Sequence, residues 1–197
     1  MHRHTLIAGG LASVLVSIFV TGAALAESTE LDPVVVLADR TAALASSTGQ
    51  TITVFDAADI RASQAIGVAD LAQTAPGITF SRTGGPGQTT SLFIRGADSD
   101  QTLVLIDGVE MDDPTQPGGD YDMSNLLVGD IDHIEILRGA HSTLWGSQAI
   151  GGVINIETTA PTKAFQGEAL AEGGAFGTQD YNLAVGGEHG PLSVRLS

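Results

Sequence analysis

Gly84-Gly85-Pro86-Gly87-Gln88-Thr89-Thr90-Ser91 is the segment that most invites a chemical reading, because glycine-rich loops cradle phosphates with their backbone N–H groups. It lacks the lysine that such a loop needs before its Ser/Thr, and no helix pattern follows it. Asp112, Asp113, Asp120 and Asp122 supply carboxylates enough for calcium but not the spacing of a calcium loop, so they read as a solvated acidic turn. His133 and His141 are too isolated to define a metal site. No Ser/His/Asp or paired-carboxylate arrangement has catalytic context, and an enzyme is the least favoured class. With no cysteine, disulfides, thiolate metal sites and cysteine nucleophiles are excluded.

Hydrophobic residues at 43% and charged residues at 16% place the chain among globular proteins. The 25 glycines and scarce aromatics point to tight turns and short strands, not to a helical bundle. A formal charge of −15 repels phosphates, which argues against a nucleic-acid partner. Residues 1–26 read as a signal peptide: a short polar start at His2, Arg3 and His4, an apolar stretch from Leu6 to Val20, and the A-x-A pattern Ala24-Leu25-Ala26. The stretch is short for a membrane-spanning helix, so cleavage after Ala26 and a mature start at Glu27 are expected.

Residues 27–50 contain Asp32-Pro33-Val34-Val35-Val36-Leu37-Ala38, whose apolar run without alternation suits an extended segment recognised on both faces. Asp39 to Gln50, small and polar, reads as a flexible linker. Residues 51–159 read as an α+β domain. Thr51 to Phe55 is β-prone. Asp56 stands at an N-cap position with Asp59 three residues on, which starts a helix over Ala57 to Ser63. Val68, Leu71, Ala72 and Ala75 form one apolar helix face, stopped by Pro76-Gly77. Strands are expected over Ile78–Ser81, Ser91–Arg95, Thr102–Ile106, Ile131–Leu137 and Gly152–Glu157. Asp107-Gly108 marks a hairpin corner, and His141 to Trp145 a helical turn. In residues 160–197, Phe165, Gly167, Ala169 and Ala171, then Tyr181, Leu183 and Val185, then Leu192, Val194 and Leu196 follow the period of two shown by transmembrane barrel strands. A soluble meander gives the same pattern.

Four segments together resemble the TonB-dependent receptor family, and within it the cobalamin receptors. They are Leu31 to Ala38, Ser91-Leu92-Phe93-Ile94-Arg95-Gly96, Leu103-Val104-Leu105-Ile106-Asp107-Gly108-Val109, and the run from Ile134 to Ile156 with Glu135, Arg138-Gly139 and Trp145-Gly146-Ser147. The resemblance implies an α+β plug domain followed by the first strands of an incomplete antiparallel transmembrane β-barrel in the outer membrane. It implies that Asp32 to Ala38 is a TonB box, which pairs by β-augmentation with the TonB C-terminal domain, energised by the ExbB/ExbD complex. Pro33 stands where the family usually has a free amide, so pairing is expected to begin at Val34.

The resemblance further implies a small-molecule ligand, cobalamin or another corrinoid, with ferric siderophores as the alternative. The glycine-rich segment is then a ligand-facing loop of the plug. Ser91 matches a serine that contacts cobalamin in such receptors. Thr89 and Asp98 occupy contact positions held there by leucine and asparagine, and Gln116 and Pro117 replace a Val-Ser pair. Arg95, Glu135 and Arg138 lie in motifs whose charges tie plug to barrel wall; they could equally satisfy one another inside the plug. No cofactor is expected in this chain, and calcium stays open. A signalling transducer is disfavoured because only Glu27 to Glu30 precede the box segment. A soluble plug alone is disfavoured by the exposed edge at Pro191 to Ser197.

Overall fold

The computed structural model describes residues 33–35, 37, 41, 43–174, 177 and 179–197. The expected signal peptide, and Asp32, Val36 and Ala38 of the expected TonB box, lie outside the described residues.

The central element is a five-stranded sheet in the order β3 (Ile52–Phe55), β8 (Ile131–Arg138), β9 (Gly152–Thr158), β6 (Thr102–Ile106), β7 (Val109–Met111). Only β6 and β9 run parallel; the other neighbours are antiparallel. β6 and β7 join at Asp107-Gly108, where both residues have positive φ, at 50° and 75°. This is the backbone that a two-residue hairpin requires and that Asp-Gly adopts at least cost. β9 begins at Gly152 because nothing larger fits: a Cβ there would lie 2.4 Å from the Leu137 carbonyl oxygen and 2.9 Å from Ile94.

Strand alternation divides this sheet into two faces. Val104, Ile134, Ile136, Ile154 and Ile156 point to one face and are buried under α1 (Ala57–Ser63), α2 (Val68–Ala72) and the hairpin of β4 (Ile78–Arg82) with β5 (Thr90–Ile94). Leu103, Leu105, Leu137 and Val153 point to the other, where Ala149, Ile52, Trp145 and Leu37 cover them. α1 starts as its sequence requires: the Asp56 carboxylate accepts from the N–H groups of Ala58 and Asp59 at 2.7 and 2.8 Å, and Asp59 reaches back to the Asp56 N–H. α2 ends at Ala72, before the apolar face that runs on to Ala75 is exhausted. Thr74 and Ala75 donate instead to the carbonyls of Leu71 and Ala72, a tightening that fits a residue placed before Pro76. One turn of helix, α3 (Ser142–Trp145), connects β8 to β9.

The stretch read as a flexible linker departs from that expectation. Ala43–Leu44 forms a strand, β2, antiparallel to β1 (Val34–Val35), and a 3₁₀ turn follows over Ala45–Ser47. The reason is a partner distant in sequence: the Ala45 N–H donates to the Pro33 carbonyl at 2.9 Å, so the segment is ordered by what it pairs with.

In the tail, β10 (Gln166–Gly173), β11 (Gln179–His189) and β12 (Leu192–Leu196) form an antiparallel meander. Its register puts Ala169, Leu183 and Val185 on one face with Val194 and Leu196, and this face is exposed and apolar. Glu168, Asn182 and Arg195 share the opposite face. The fold class read from the sequence, an α+β domain followed by antiparallel strands of barrel pattern, is the one observed.

Candidate functional site

Two regions of the domain carry candidate functional residues. The first is the N-terminal segment against the sheet. Val34 is exposed, whereas Val35 and Leu37 are buried. Leu37 enters the second face of the sheet among Leu103, Leu105, Leu137 and Val153. Burial of a leucine side chain contributes about 2 kcal/mol. Its backbone is held by two side chains from far along the chain. The Leu37 N–H donates to Glu135 Oε2 at 3.0 Å, and the Trp145 indole N–H donates to the Leu37 carbonyl at 3.0 Å.

Glu135 is fully buried in the middle of β8, between Val54 on β3 and Asn155 on β9. A buried carboxylate needs compensation. Besides the Leu37 amide, His133 Nε2 lies 3.5 Å away, and His133 Nδ1 is 3.0 Å from Asp132. The Glu135 carboxylate, more than the burial that opposes it, lifts the His133 pKa to about 9, with Asp132 adding to the effect. The imidazole is therefore a cation at neutral pH. Asn155 donates to Glu157 at 2.9 Å, continuing a polar stripe down this face.

The second region is a set of loops at the starts of β5 and β6 and the end of β7. Thr89 is exposed at the end of the glycine-rich loop, which joins β4 to β5, and Ser91 is half-buried on β5. Asp98 is exposed and precedes a 3₁₀ turn, Ser99–Gln101, that leads into β6. Gln116 and Pro117 sit in the loop after β7, where the Gln116 N–H donates to Asp113 O and its carbonyl accepts from Gly119.

Carboxylates of the acidic stretch stitch these loops together. Asp122 accepts from the Thr90 N–H at 2.8 Å and from the Ser124 N–H at 3.0 Å. Burial raises the Asp122 pKa, but these hydrogen bonds outweigh it and leave the carboxyl below its usual range. Asp120 accepts from the Ser99 hydroxyl at 2.9 Å. The stretch read as a solvated acidic turn is therefore part structural. Asp113 is half-buried and folds back on Thr115, whose hydroxyl and N–H hold its pKa low. No cluster of three or more metal-ligating side chains occurs among the described residues.

The described partners of Arg138 lie within the domain: the Pro76 carbonyl and the Thr53 hydroxyl, at 2.5 and 2.7 Å. Burial, and then the charge of Arg95, lower its pKa. Arg95 is exposed, has a positive φ of 53°, and donates its N–H to Gly77 O at 2.7 Å. Glu135 and Arg138 share β8 but alternate between polar stripe and strand end, and no described bond joins them to the tail strands. A different set does link domain and tail: Arg195 on β12 pairs with Asp130 and, at 3.3 Å, with Glu168 on β10, while the Ser197 hydroxyl donates to Asp130. Sequence reasoning missed this triad. The phase of Arg195, between outward Val194 and Leu196, was the available signal. A cavity of about 370 Å³ separates the tail's polar face from α1, lined by Ile60, Arg61, Leu127, Glu168 and Asn182 among others.

A small mixed sheet sealed by short helices, preceded by an extended apolar segment and followed by strands with one apolar face, defines the plug region of a receptor. The family model for the TonB-dependent receptor plug domain matches residues 45–153, and the chain belongs to that family. It is 38% identical over 174 residues to the vitamin B12 transporter of Vibrio cholerae, a match that takes in 86% of this chain and 28% of that protein. Among solved structures, it resembles the ferripyoverdine receptor of Pseudomonas aeruginosa (TM-score 0.65, 24% identity, 81% of this chain and 20% of the other). It also resembles the alcaligin receptor of Bordetella pertussis (TM-score 0.64, 21% identity, 78% and 26%). The chain spans little more than a quarter of the curated relative's length.

Proposed function

We propose that this chain supplies the TonB box, the plug and the first barrel strands of an outer-membrane transporter that imports cobalamin or a related corrinoid. The single observation that favours a corrinoid is the 38% identity, sustained over 86% of the chain, to a vitamin B12 transporter. The siderophore receptors resemble it at 24% and 21% identity, which speaks to fold and not to ligand. The geometry supports a ligand-facing surface: the segments bearing Thr89, Ser91, Asp98, Gln116 and Pro117 are tied together by Asp120 and Asp122. The tail supports a membrane wall. Its apolar face is turned away from the domain, as lipid contact demands, and its polar face is turned inward with Arg195 bound to Asp130.

In this reading Asp32 to Ala38 is the handle by which TonB, driven by ExbB/ExbD, works on the plug. Arg95 and Arg138 are proposed as contacts of the plug with barrel strands beyond those described, whereas Glu135 is buried within the plug against the Leu37 amide. The test is uptake of labelled cyanocobalamin by cells that lack their own cobalamin receptor and express the full-length protein. Uptake is expected, and Val35→Pro, which removes an amide from the middle of the box, abolishes it while binding at the cell surface persists. Binding of a ferric siderophore with none of cyanocobalamin would overturn the ligand assignment.

A further inference from the structure

The residues expected to face a ligand stand on three separate segments: Thr89 and Ser91 around the start of β5, Asp98 before β6, and Gln116 and Pro117 after β7. A site built on loops binds tightly only when the loops already share one arrangement, because ordering them on binding lowers affinity. Residues 118–122 lie where the three segments meet. Asp122 accepts from the Thr90 N–H at 2.8 Å, from 32 residues away, and Asp120 accepts from the Ser99 hydroxyl at 2.9 Å. Gly118 makes the third link: a Cβ there would stand 2.5 Å from the Cβ of Asp100, so the loop after β7 and the turn before β6 approach as only glycine permits. We propose that Gly118, Asp120 and Asp122 are positioning residues of the ligand-facing surface, which fix Ser91, Asp98 and Gln116 relative to one another. The inference rests on the ligand reading above and adds what sets its affinity.

Asp122 carries the largest share. As the cap of the 3₁₀ turn Met123–Asn125 it needs only the Ser124 N–H, which the same oxygen accepts at 3.0 Å. The bond to Thr90 goes beyond that local duty. Thr90 is fully buried, and its hydroxyl is engaged twice, donating to the Gln88 carbonyl at 2.8 Å and accepting from Arg82 Nε at 3.1 Å. Strand alternation turns Ser91 to the face opposite Thr90, so the buried residue that Asp122 holds sets where Ser91 stands. The loop bearing Gln116 is closed on itself. The Gln116 N–H donates to Asp113 O at 3.0 Å, and the Gly119 N–H donates to Gln116 O at 3.1 Å. A shift at Asp120 or Asp122 therefore moves that loop as a unit against β5.

The links can be cut separately. Asp122→Ala deletes the acceptor for Thr90 and Ser124, whereas Asp122→Asn keeps an acceptor oxygen in the same place. Gly118→Ala leaves both carboxylates alone and pushes a methyl group against Asp100 from an exposed loop.

The measurement is the equilibrium affinity of labelled cyanocobalamin for the full-length receptor in outer membranes, with thermal unfolding of the same preparations. Asp122→Ala is expected to weaken binding about tenfold or more, the range of one hydrogen bond to a charged group, and Asp122→Asn to recover most of that loss. Gly118→Ala is expected to weaken it about threefold or more. A double-mutant cycle separates positioning from general loosening: in a Ser91→Ala background the Asp122→Ala penalty should shrink, because the group it places is gone. A receptor that binds no cyanocobalamin defeats the ligand reading and this inference with it. A receptor that binds, beside an Asp122→Ala variant of equal affinity or a cycle in which the two penalties simply multiply, keeps the ligand reading and overturns the positioning role. Gly118→Ala decides the matter where Asp122→Ala fails to fold, and unchanged affinity in that variant overturns the inference.

Discussion

The two faces of the central sheet are both buried, yet they are closed in different ways. On one face, Ile134, Ile136, Ile154 and Val104 meet α1, α2 and the β4–β5 hairpin through a cluster of buried apolar side chains. On the other, a stripe of His133, Glu135, Asn155 and Glu157 runs beside Leu137 and Val153, and part of the cover is a peptide segment held by two side-chain hydrogen bonds. An apolar interface of whole elements separates only when much surface is exposed at once. A segment held by a few directional bonds can leave while the sheet stays folded. The first face is closed by whole elements, and the second in part by a single peptide segment.

The largest expected effect tests the permanence of the first face. Ile154 is fully buried and lies between Val104 and Ile136 across the strands. Ile154→Ala is expected to lower unfolding free energy by about 2–5 kcal/mol. Leu37→Ala should fall at the low end of that range, because the segment that carries it can shift to fill the gap. Urea unfolding followed by circular dichroism and by fluorescence of Trp145, the single tryptophan, separates the two. The global signal reports the first face, and the indole reports the second. Equal costs for the two truncations would dissolve the contrast.

A smaller effect, set by pH, sharpens the second face. His133 titrates near 9 in the folded chain against 6.5 in an ordinary imidazole, chiefly because it hydrogen-bonds to Glu135. A folded-state pKa raised in this way gives stabilisation that is complete below pH about 6.5 and disappears as pH climbs through about 9. The loss is expected to be about 1–2 kcal/mol after allowance for the solvent that screens a part-exposed imidazole. Glu135→Gln removes the largest cause, so the His133 pKa falls and the pH dependence flattens. NMR titration of the ring protons reads this directly. An unchanged titration in Glu135→Gln would show that Asp132, and not the buried carboxylate, holds the proton.

Most of the first face was legible in the sequence, and little of the second was. Alternating Ile134 and Ile136, the Asp56 cap, the Asp107-Gly108 corner and the stop at Pro76-Gly77 are local signals, each readable within a few residues. The same alternation in the tail placed its apolar face correctly. β2 carries no such signal: Ala43–Leu44 is two residues long and is a strand only because Val34–Val35 lies beside it. The bonds from Glu135 and Trp145 to Leu37 join residues about a hundred positions apart, and no periodicity reports them. Asp122, read as solvent-facing, is another such case, since its partner Thr90 comes from a different loop. Function entered through motif resemblance, whereas the bonds that hold Leu37 became visible only in three dimensions.

The smallest expected effect asks whether the two faces are independent. Asp70 on α2 pairs with Arg82 on β4 at 3.1 Å, on the side of the sheet away from Leu37. Arg82 also donates to the Thr90 hydroxyl and lies 4.9 Å from the centre of the Phe80 ring, so it stays anchored without its ionic partner. Both members of the pair are partly solvent-exposed, and Asp70→Asn is expected to cost about 0.5 kcal/mol, less at high salt. Its use lies in what should not change. No described hydrogen bond of this pair reaches β1, β2, Glu135 or Trp145, so the fluorescence of Trp145 in the folded protein should match that of the unaltered chain. Leu37→Ala makes the opposite prediction, a change in Trp145 fluorescence, because the segment it shifts holds the indole N–H. Should Asp70→Asn alter that fluorescence as well, loosening of the first face would be transmitted through the sheet to the second.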